Sequence, residues 1–237
     1  MDQDDHPLAN YDFQKGSMLL VDKPQEWTSF DVVNKLRAAI RKKLGIKKIK
    51  VGHAGTLDPM ATGLLIICTG KFTKKLSDYQ GMTKSYTGTL KLGATTPSYD
   101  AETAVDANFE IDHINEALLE QARQQFLGAL EQLPPIFSAI KVDGQPLYKK
   151  ARKGEKVEVK ARPVHIYDFE LTTIELPHVS FSVTCSKGTY IRSLAYDFGK
   201  AVNSGAYLTS LRRTKIGTYS VEDAWNLEDL VDAILEV

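Results

Sequence analysis

Residues 52–63, GHAGTLDPMATG, constrain the chain more than any other stretch. They hold three glycines, one His, one Asp and one Pro within twelve positions. Glycine allows backbone angles that other residues resist and lets another group approach closely. Pro59 pushes Asp58 away from helical geometry. Ile49–Val51 reads as a strand entering this segment and Leu64–Thr69 as a buried strand leaving it, so Asp58 is expected on an extended, rigid loop between strands. Loops held by a sheet are where catalytic groups concentrate. An Asp that caps its own turn accounts for the residue equally well, and both readings stay open on the residues alone. The loop carries neither G-x-x-x-x-G-K-[ST] nor G-x-G-x-x-G, which leaves nucleotide binding unsupported. His53 has no second His three or four residues on, so it reads as a structural His before it reads as a metal ligand.

The rest of the chain mixes strands and helices without a regular βαβ rhythm. Met18–Val21 reads as a strand. Thr28 or Ser29 offers an N-cap with Asp31 in the first turn, and Val33, Leu36, Ile40 and Leu44 follow at helical spacing up to Gly45. Tyr86, Gly88, Leu90 and Leu92 share one face of a two-residue period. An amphipathic helix is expected over 112–130, with Asp112 as cap and Pro134-Pro135 as breaker. Short strands are expected at 136–142, 156–160, 163–175 and 178–185, then a helix at 190–202. A strand near 207–219 and a helix at 227–235 complete the pattern. The order favours an α+β fold around a mixed or largely antiparallel sheet flanked by helices.

Composition narrows the class. Apolar residues make up 43% and charged residues 25% of 237, ordinary values for a soluble globular protein. The longest apolar run, Leu64–Cys68, is far too short to span a bilayer. The start, MDQDDHPLANYDF, is acidic and lacks the apolar core of a signal peptide. It is expected to be a flexible tail over residues 1–16, with one domain over 17–237. Cys68 and Cys185 lie in apolar runs and read as buried thiols rather than a disulfide framework. Formal net charge is zero, yet residues 1–12 and 221–237 carry ten acids and no Lys or Arg. Between those ends lie two basic stretches. Lys35 to Lys50 holds eight Lys or Arg and no acid, and Lys149 to Arg162 holds seven against two acids. Arg41, Lys42 and Lys43 can complement a helix C-terminus, but Lys47, Lys48 and Lys50 lie beyond Gly45. They favour a surface that contacts phosphates.

Six segments in order then resemble one family. GHAGTLDPMATG resembles the G-H-x-G-x-L-D-P-x-A-x-G signature of the TruB family of tRNA pseudouridine synthases. LLVDKPQEWTSFDVV (19–33), KSYTGTLKLGATT (84–96) and PPIFSAIKVDGQPLYKKARKG (134–154) resemble its Lys-Pro, Lys-x-Tyr and Tyr-x-x-Ala-Arg segments. SKGTYIRSLAYDFG (186–199) and YLTSLRRTKIG (207–217) resemble its last two, and the likeness spans about residues 18–235.

The resemblance implies a pseudouridine synthase fold with a catalytic cleft across the sheet. It implies conversion of uridine to pseudouridine at position 55 in the T loop of transfer RNA. It makes Asp58 the catalytic aspartate, Tyr190 an active-site tyrosine and Arg192 the arginine that pairs with the aspartate. Tyr86 becomes the ring that stacks on the target base, His53 a neighbour of the flipped nucleotide, Leu211 a pocket wall and Lys23 a lysine at the site's edge. Lys47, Lys48, Lys50, Lys149, Lys150 and Arg152 are the candidate contacts to the RNA backbone. Physics makes these roles reasonable. A base in the stack must be flipped out before its glycosidic bond is accessible, a flipped base needs an aromatic platform, and an arginine offsets the cost of burying a carboxylate. On the residues alone, Tyr86 and Tyr190 also fit as core aromatics and Arg192 as a solvated side chain, although a cation in a helix's first turn opposes the macrodipole.

The implied enzyme needs no cofactor and no metal, binds the T arm of tRNA, avoids membranes and works as a cytoplasmic monomer. Relatives often continue into a PUA domain, a small RNA-binding module, and this chain reads as a short form without one. Four positions depart from the family pattern: Glu26 and Thr103 where Gly is frequent, Ala54 where Thr is frequent, and Pro97 in place of the first Asp of T-D-T-x-D. Readings from other classes are a non-catalytic RNA-binding or chaperone module on the same fold and a synthase acting on another RNA. A carboxylate hydrolase would usually require a second acid in the site.

Overall fold

A computed structural model of the chain describes residues 8, 10–138, 141–142, 144–147 and 159–236. They form two compact units, one from residues 1–84 with 212–237 and the other from residues 85–211.

The first unit is built around strand Thr62–Thr69. It pairs antiparallel with Met18–Lys23 (Met18 opposite Cys68, Lys23 opposite Gly63) and with Val51–His53. It pairs in parallel with the end of strand Ala206–Ile216, Arg213 lying opposite Gly63. Met18–Lys23 pairs in parallel with Trp225–Asn226, so the sheet is mixed. The apolar run reads without alternation because both faces are covered. Leu65 and Ile67 join Val33, Leu36, Ile40 and Leu230 in one core, while Leu64, Ile66 and Cys68 join Tyr79 and Ile216 in another. Helix Ser29–Leu44 covers the first face beside helix Leu227–Glu236. Its start is a reciprocal cap. The Thr28 side chain accepts from Asp31 N at 3.0 Å, and Asp31 Oδ2 accepts from Thr28 N at 3.0 Å. Gly45 ends the helix at φ 63°.

The second unit is an antiparallel sheet. Strand Arg162–Glu175 lies between His178–Cys185 and Gly128–Gln132, and Lys84–Leu92 with the first part of Ala206–Ile216 continues the order. Phe169 is its aromatic hub. Its ring meets Phe181 edge-on at 5.9 Å and Phe198 at 5.9 Å, Phe198 being carried by helix Ile191–Ala201.

Several local expectations are corrected. The helix expected over 112–130 is Glu116–Gln124, because Asn115 rather than Asp112 caps it, accepting from Leu118 N at 3.0 Å. The chain then turns through Gly128 at φ 90° into strand Gly128–Gln132, whose residues find ladder partners in Val164 and Arg162. Pairing overrides the helical pattern there. The strand expected at 49–51 is shifted to Val51–His53, where Thr69 and Ile67 provide partners. Residues 136–138 are bends, and Lys141–Val142 pairs with Gln145–Pro146. Most of the strand expected at 156–160 lies outside the described residues. The strand near 207–219 breaks at Gly217, φ 56°, and returns as Tyr219–Ser220. The turn Gly70–Lys75 and the helix Leu76–Gly81 have no counterpart among the expected elements. Among the described residues, no helix is long and apolar enough to cross a membrane.

The expectation of a free tail through residue 16 is also corrected. Phe13 is 5% exposed and Leu8 1%, both packed in the core of the first unit. Ser17 and Thr69 exchange backbone and hydroxyl bonds at 2.9 and 3.0 Å. A Cβ at Gly70 would lie 2.3 Å from the Gln14 carbonyl oxygen, so the segment presses on that turn. Phe13→Ala is therefore expected to cost about 3 kcal/mol of stability, read as a lower urea midpoint. An unchanged midpoint would mean the segment contributes nothing to folding.

Candidate active site

The Gly-rich loop of the first unit is tied at many points. Ala54 N donates to Ile66 O at 2.9 Å, Leu57 N to Ser29 Oγ at 2.9 Å, and Ala61 N to Asp58 O at 3.0 Å. Gly55 and Gly63 sit at φ 103° and 105°, where a side chain would strain the backbone. Half-buried Asp58 thus rides on a loop whose path is set from both ends. Lys23 is fully buried. Its Nζ donates to the carbonyls of Pro24 at 2.8 Å, Trp27 at 2.6 Å and Pro59 at 3.3 Å. Burial pushes its pKa down to about 8, opposed by the negative charge of Asp58 and aided by the positive charge of Arg213. Burial also lowers the pKa of His53, which favours the neutral imidazole. Lys23, His53 and Asp58 are therefore gathered in one unit.

Tyr86, Tyr190, Arg192 and Leu211 belong to the second unit. Tyr86 and Leu211 are each 9% exposed and lie on strands. Tyr190 precedes helix Ile191–Ala201 in extended conformation. The Gln132 side chain holds its backbone on both sides, accepting from Tyr190 N at 2.8 Å and donating to Tyr190 O at 3.1 Å. The solvated reading of Arg192 fails, since the residue is 4% exposed. Its guanidinium donates to Ser98 O at 3.0 Å and Phe137 O at 2.8 Å, and Nε faces Asp100 Oδ2 at 3.6 Å. Asp100 is itself fully buried, its other oxygen accepting from Ser98 Oγ at 2.6 Å and Glu102 N at 3.0 Å.

Sequence reasoning missed Asp100 and Gln132. The signal for Asp100 is present as the final acid of the T-D-T-x-D pattern. Nothing marks Gln132, because its use depends on a strand whose residues carry a helical pattern.

Three of the four family departures have a local setting that accommodates them. Glu26 adopts φ 68°, the left-handed region that Gly occupies freely, while its N–H donates to Pro59 O at 2.8 Å. Thr103 uses its hydroxyl, 2.7 Å from Ser98 Oγ and 3.1 Å from Ser98 N, to brace the turn before Asp100. Ala54 is fully buried in the core. Nothing in the structure explains Pro97.

Lys47, Lys48 and Lys50 are exposed. Together with Arg37 and Arg41, they line an open groove of about 450 Å³. Lys48 and Lys50 also line a second one of about 360 Å³ with Lys71 and Lys74, which come from the unexpected turn Gly70–Lys75. Arg41, Lys42 and Lys43 do occupy the last turn of their helix. Lys149, Lys150 and Arg152 lie outside the described residues. Among the described residues, no three His, Cys, Asp or Glu side chains are gathered to hold a metal.

The chain resembles known proteins along most of its length. Residues 41–191 match the TruB family pseudouridylate synthase N-terminal domain, and residues 192–237 the tRNA pseudouridylate synthase B C-terminal domain. The chain is 60% identical to the tRNA pseudouridine synthase B of Flavobacterium johnsoniae, over 90% of this chain and 93% of that one. It is 56% identical to the same-named protein of Phocaeicola vulgatus, over 91% and 92%. A chain in the crystal structure of a Cbf5-Nop10-Gar1 complex superposes with TM-score 0.69 at 31% identity, covering 93% of this chain and 54% of that one. These likenesses bear out the α+β pseudouridine synthase fold, and the chain belongs to the TruB family of pseudouridylate synthases.

Proposed function

We propose that this chain isomerises uridine to pseudouridine in transfer RNA, at position 55 of the T loop, with Asp58 as catalytic carboxylate. The observation that carries the reading is the loop Ala54–Ala61. A half-buried carboxylate stands on backbone held rigidly at both ends, beside a fully buried lysine that feels its charge. Such preorganisation holds a reacting group in place without reorganisation during the reaction. The names of the relatives supply the reaction and the RNA.

In this reading the target uridine leaves its stack, the N1–C1′ bond breaks, the uracil turns, C5 bonds to C1′ and loses its proton, and N1 takes up a proton. Asp58 supplies covalent catalysis. Arg192 is the arginine that the family resemblance assigns to the catalytic aspartate. Tyr86 stacks on the flipped base, Tyr190 assists proton transfer, and His53, Leu211 and Lys23 are assigned to substrate binding. Lys47, Lys48 and Lys50 contact the RNA backbone, joined by Lys71 and Lys74 of the neighbouring groove and by Lys149, Lys150 and Arg152. The enzyme acts on the T arm as a cytoplasmic monomer.

Tritium release from a T-arm transcript labelled at uridine C5 tests the whole. Binding without release would mark a non-catalytic RNA-binding module. Release only from other RNAs would mark a different target.

Asp58→Asn is expected to abolish release while RNA affinity stays within about tenfold, since phosphate contacts dominate binding. Substantial turnover in a variant free of deamidation would remove Asp58 from the chemistry.

Lys23 is expected to titrate near pH 8 rather than 10.5 when followed by NMR of its labelled side chain. Because the folded pKa lies below the unfolded one, the unfolded chain holds the extra proton between those values. The buried ammonium therefore destabilises the fold at neutral pH, and the penalty fades as pH rises through that window. A midpoint near 10.5 would contradict this.

Changing Lys47, Lys48 and Lys50 together to Ala should raise KM and leave kcat nearly unchanged. The salt dependence of binding should flatten by about 0.7–0.9 in log–log slope for each phosphate that the variant no longer neutralises. An unaltered slope would place the RNA grip elsewhere.

A further inference from the structure

We infer that Arg213 is a positioning residue for the Asp58 loop, gripping both ends of the Gly-rich segment and fixing where the carboxylate stands. The inference rests on the proposed role of Asp58.

Arg213 is 1% exposed and is among the largest fully buried side chains. A buried cation is costly unless paired or fully hydrogen-bonded. Among the described residues no carboxylate forms an ion pair with Arg213. Its guanidinium bonds to main-chain oxygens instead. Nε donates to Leu64 O at 2.7 Å and Nη2 to Gly55 O at 3.1 Å. Gly55 lies directly against the fork, since a Cβ there would sit 3.6 Å from Nη1. The backbone of Arg213 presses on the other end. A Cβ at Gly63 would lie 2.3 Å from the Arg213 carbonyl oxygen. One residue thus holds Gly55 before Asp58 and Gly63-Leu64 after it, while Lys23 holds Pro59 next door.

A residue that merely filled space would be apolar here. A lysine would keep the charge, but its single nitrogen cannot stand at both the Nε and the Nη2 positions from which Arg213 reaches Leu64 O and Gly55 O. The cation also acts through the field. Lys23 senses Asp58 as attraction and Arg213 as repulsion, so all three charges share one neighbourhood. A fixed positive charge there favours the ionised carboxylate.

The test uses the full chain with Arg213→Lys and Arg213→Met, each compared with wild type by thermal melting, RNA filter binding and single-turnover tritium release across the acid limb of the pH profile. Both variants should slow the chemical step on the order of 10- to 100-fold with RNA affinity little changed, since a misplaced reacting group costs about that much. Only Arg213→Met should move the acid limb to higher pH, because only it removes the charge. If Arg213→Met fails to fold, Arg213→Lys decides alone: a folded, slow variant supports the inference. A folded Arg213→Lys at the wild-type rate overturns it, as does a loss confined to RNA affinity. If wild type releases no tritium, the functional reading fails and the inference falls with it.

Discussion

The hydrogen bonds between buried cations and main-chain carbonyls are the constraint around which the rest is arranged. Lys23, Arg192 and Arg213 are all 4% exposed or less. A charge taken out of water costs several kcal/mol unless its donors are satisfied. Carbonyls do that here, from Pro24, Trp27 and Pro59 for Lys23, and from Gly55 and Leu64 for Arg213. Ser98 and Phe137 accept from the Arg192 guanidinium, while its Nε faces Asp100 at 3.6 Å, beyond hydrogen-bond length. A carbonyl can serve a buried cation only if its loop follows one particular path. The cations and loops therefore specify each other, and a change to either leaves a charge unsatisfied.

Close backbone approach is the second consequence. Gly63 lies so near Arg213 that any side chain would collide with backbone. Gly70 lies equally near Gln14. Glycines at such points let two strands or a turn and a strand come together where a Cβ would hold them apart. Glu26 shows the converse: a non-glycine residue accepts φ 68° where its N–H is needed by Pro59. The strain of order 1–2 kcal/mol that this implies is tolerable in a protein whose core covers both faces of strand Thr62–Thr69.

Much of the fold was legible where local signals were strong. The Thr28 cap, the Gly45 stop, the buried run Leu64–Thr69 and the alternation around Tyr86 and Leu90 all follow from neighbours a few residues away. Legibility failed where pairing at a distance decided. Residues 128–132 continue an amphipathic pattern, yet Val164 and Arg162 draw them into a ladder. Phe13 sits in an acidic, polar segment, yet it packs into the core formed by Leu19, Val21 and Leu65. In the site, Asp58 and Arg192 were marked by motifs, while Gln132 was invisible because its two bonds to Tyr190 exist only once that ladder has formed.

By itself the sequence determined most element types, the α+β class, the family and the candidate residues of the site, because caps, periodicity and motifs are written in residue types at short spacing. Tertiary structure alone decided burial and partners: that Lys23 is fully buried, that Arg192 faces Asp100, and that Lys71 and Lys74 join Lys48 and Lys50 around one groove. The reason is that charge and hydrogen-bonding groups acquire their energetic meaning from what surrounds them in space. Those surroundings come from segments far apart in the chain.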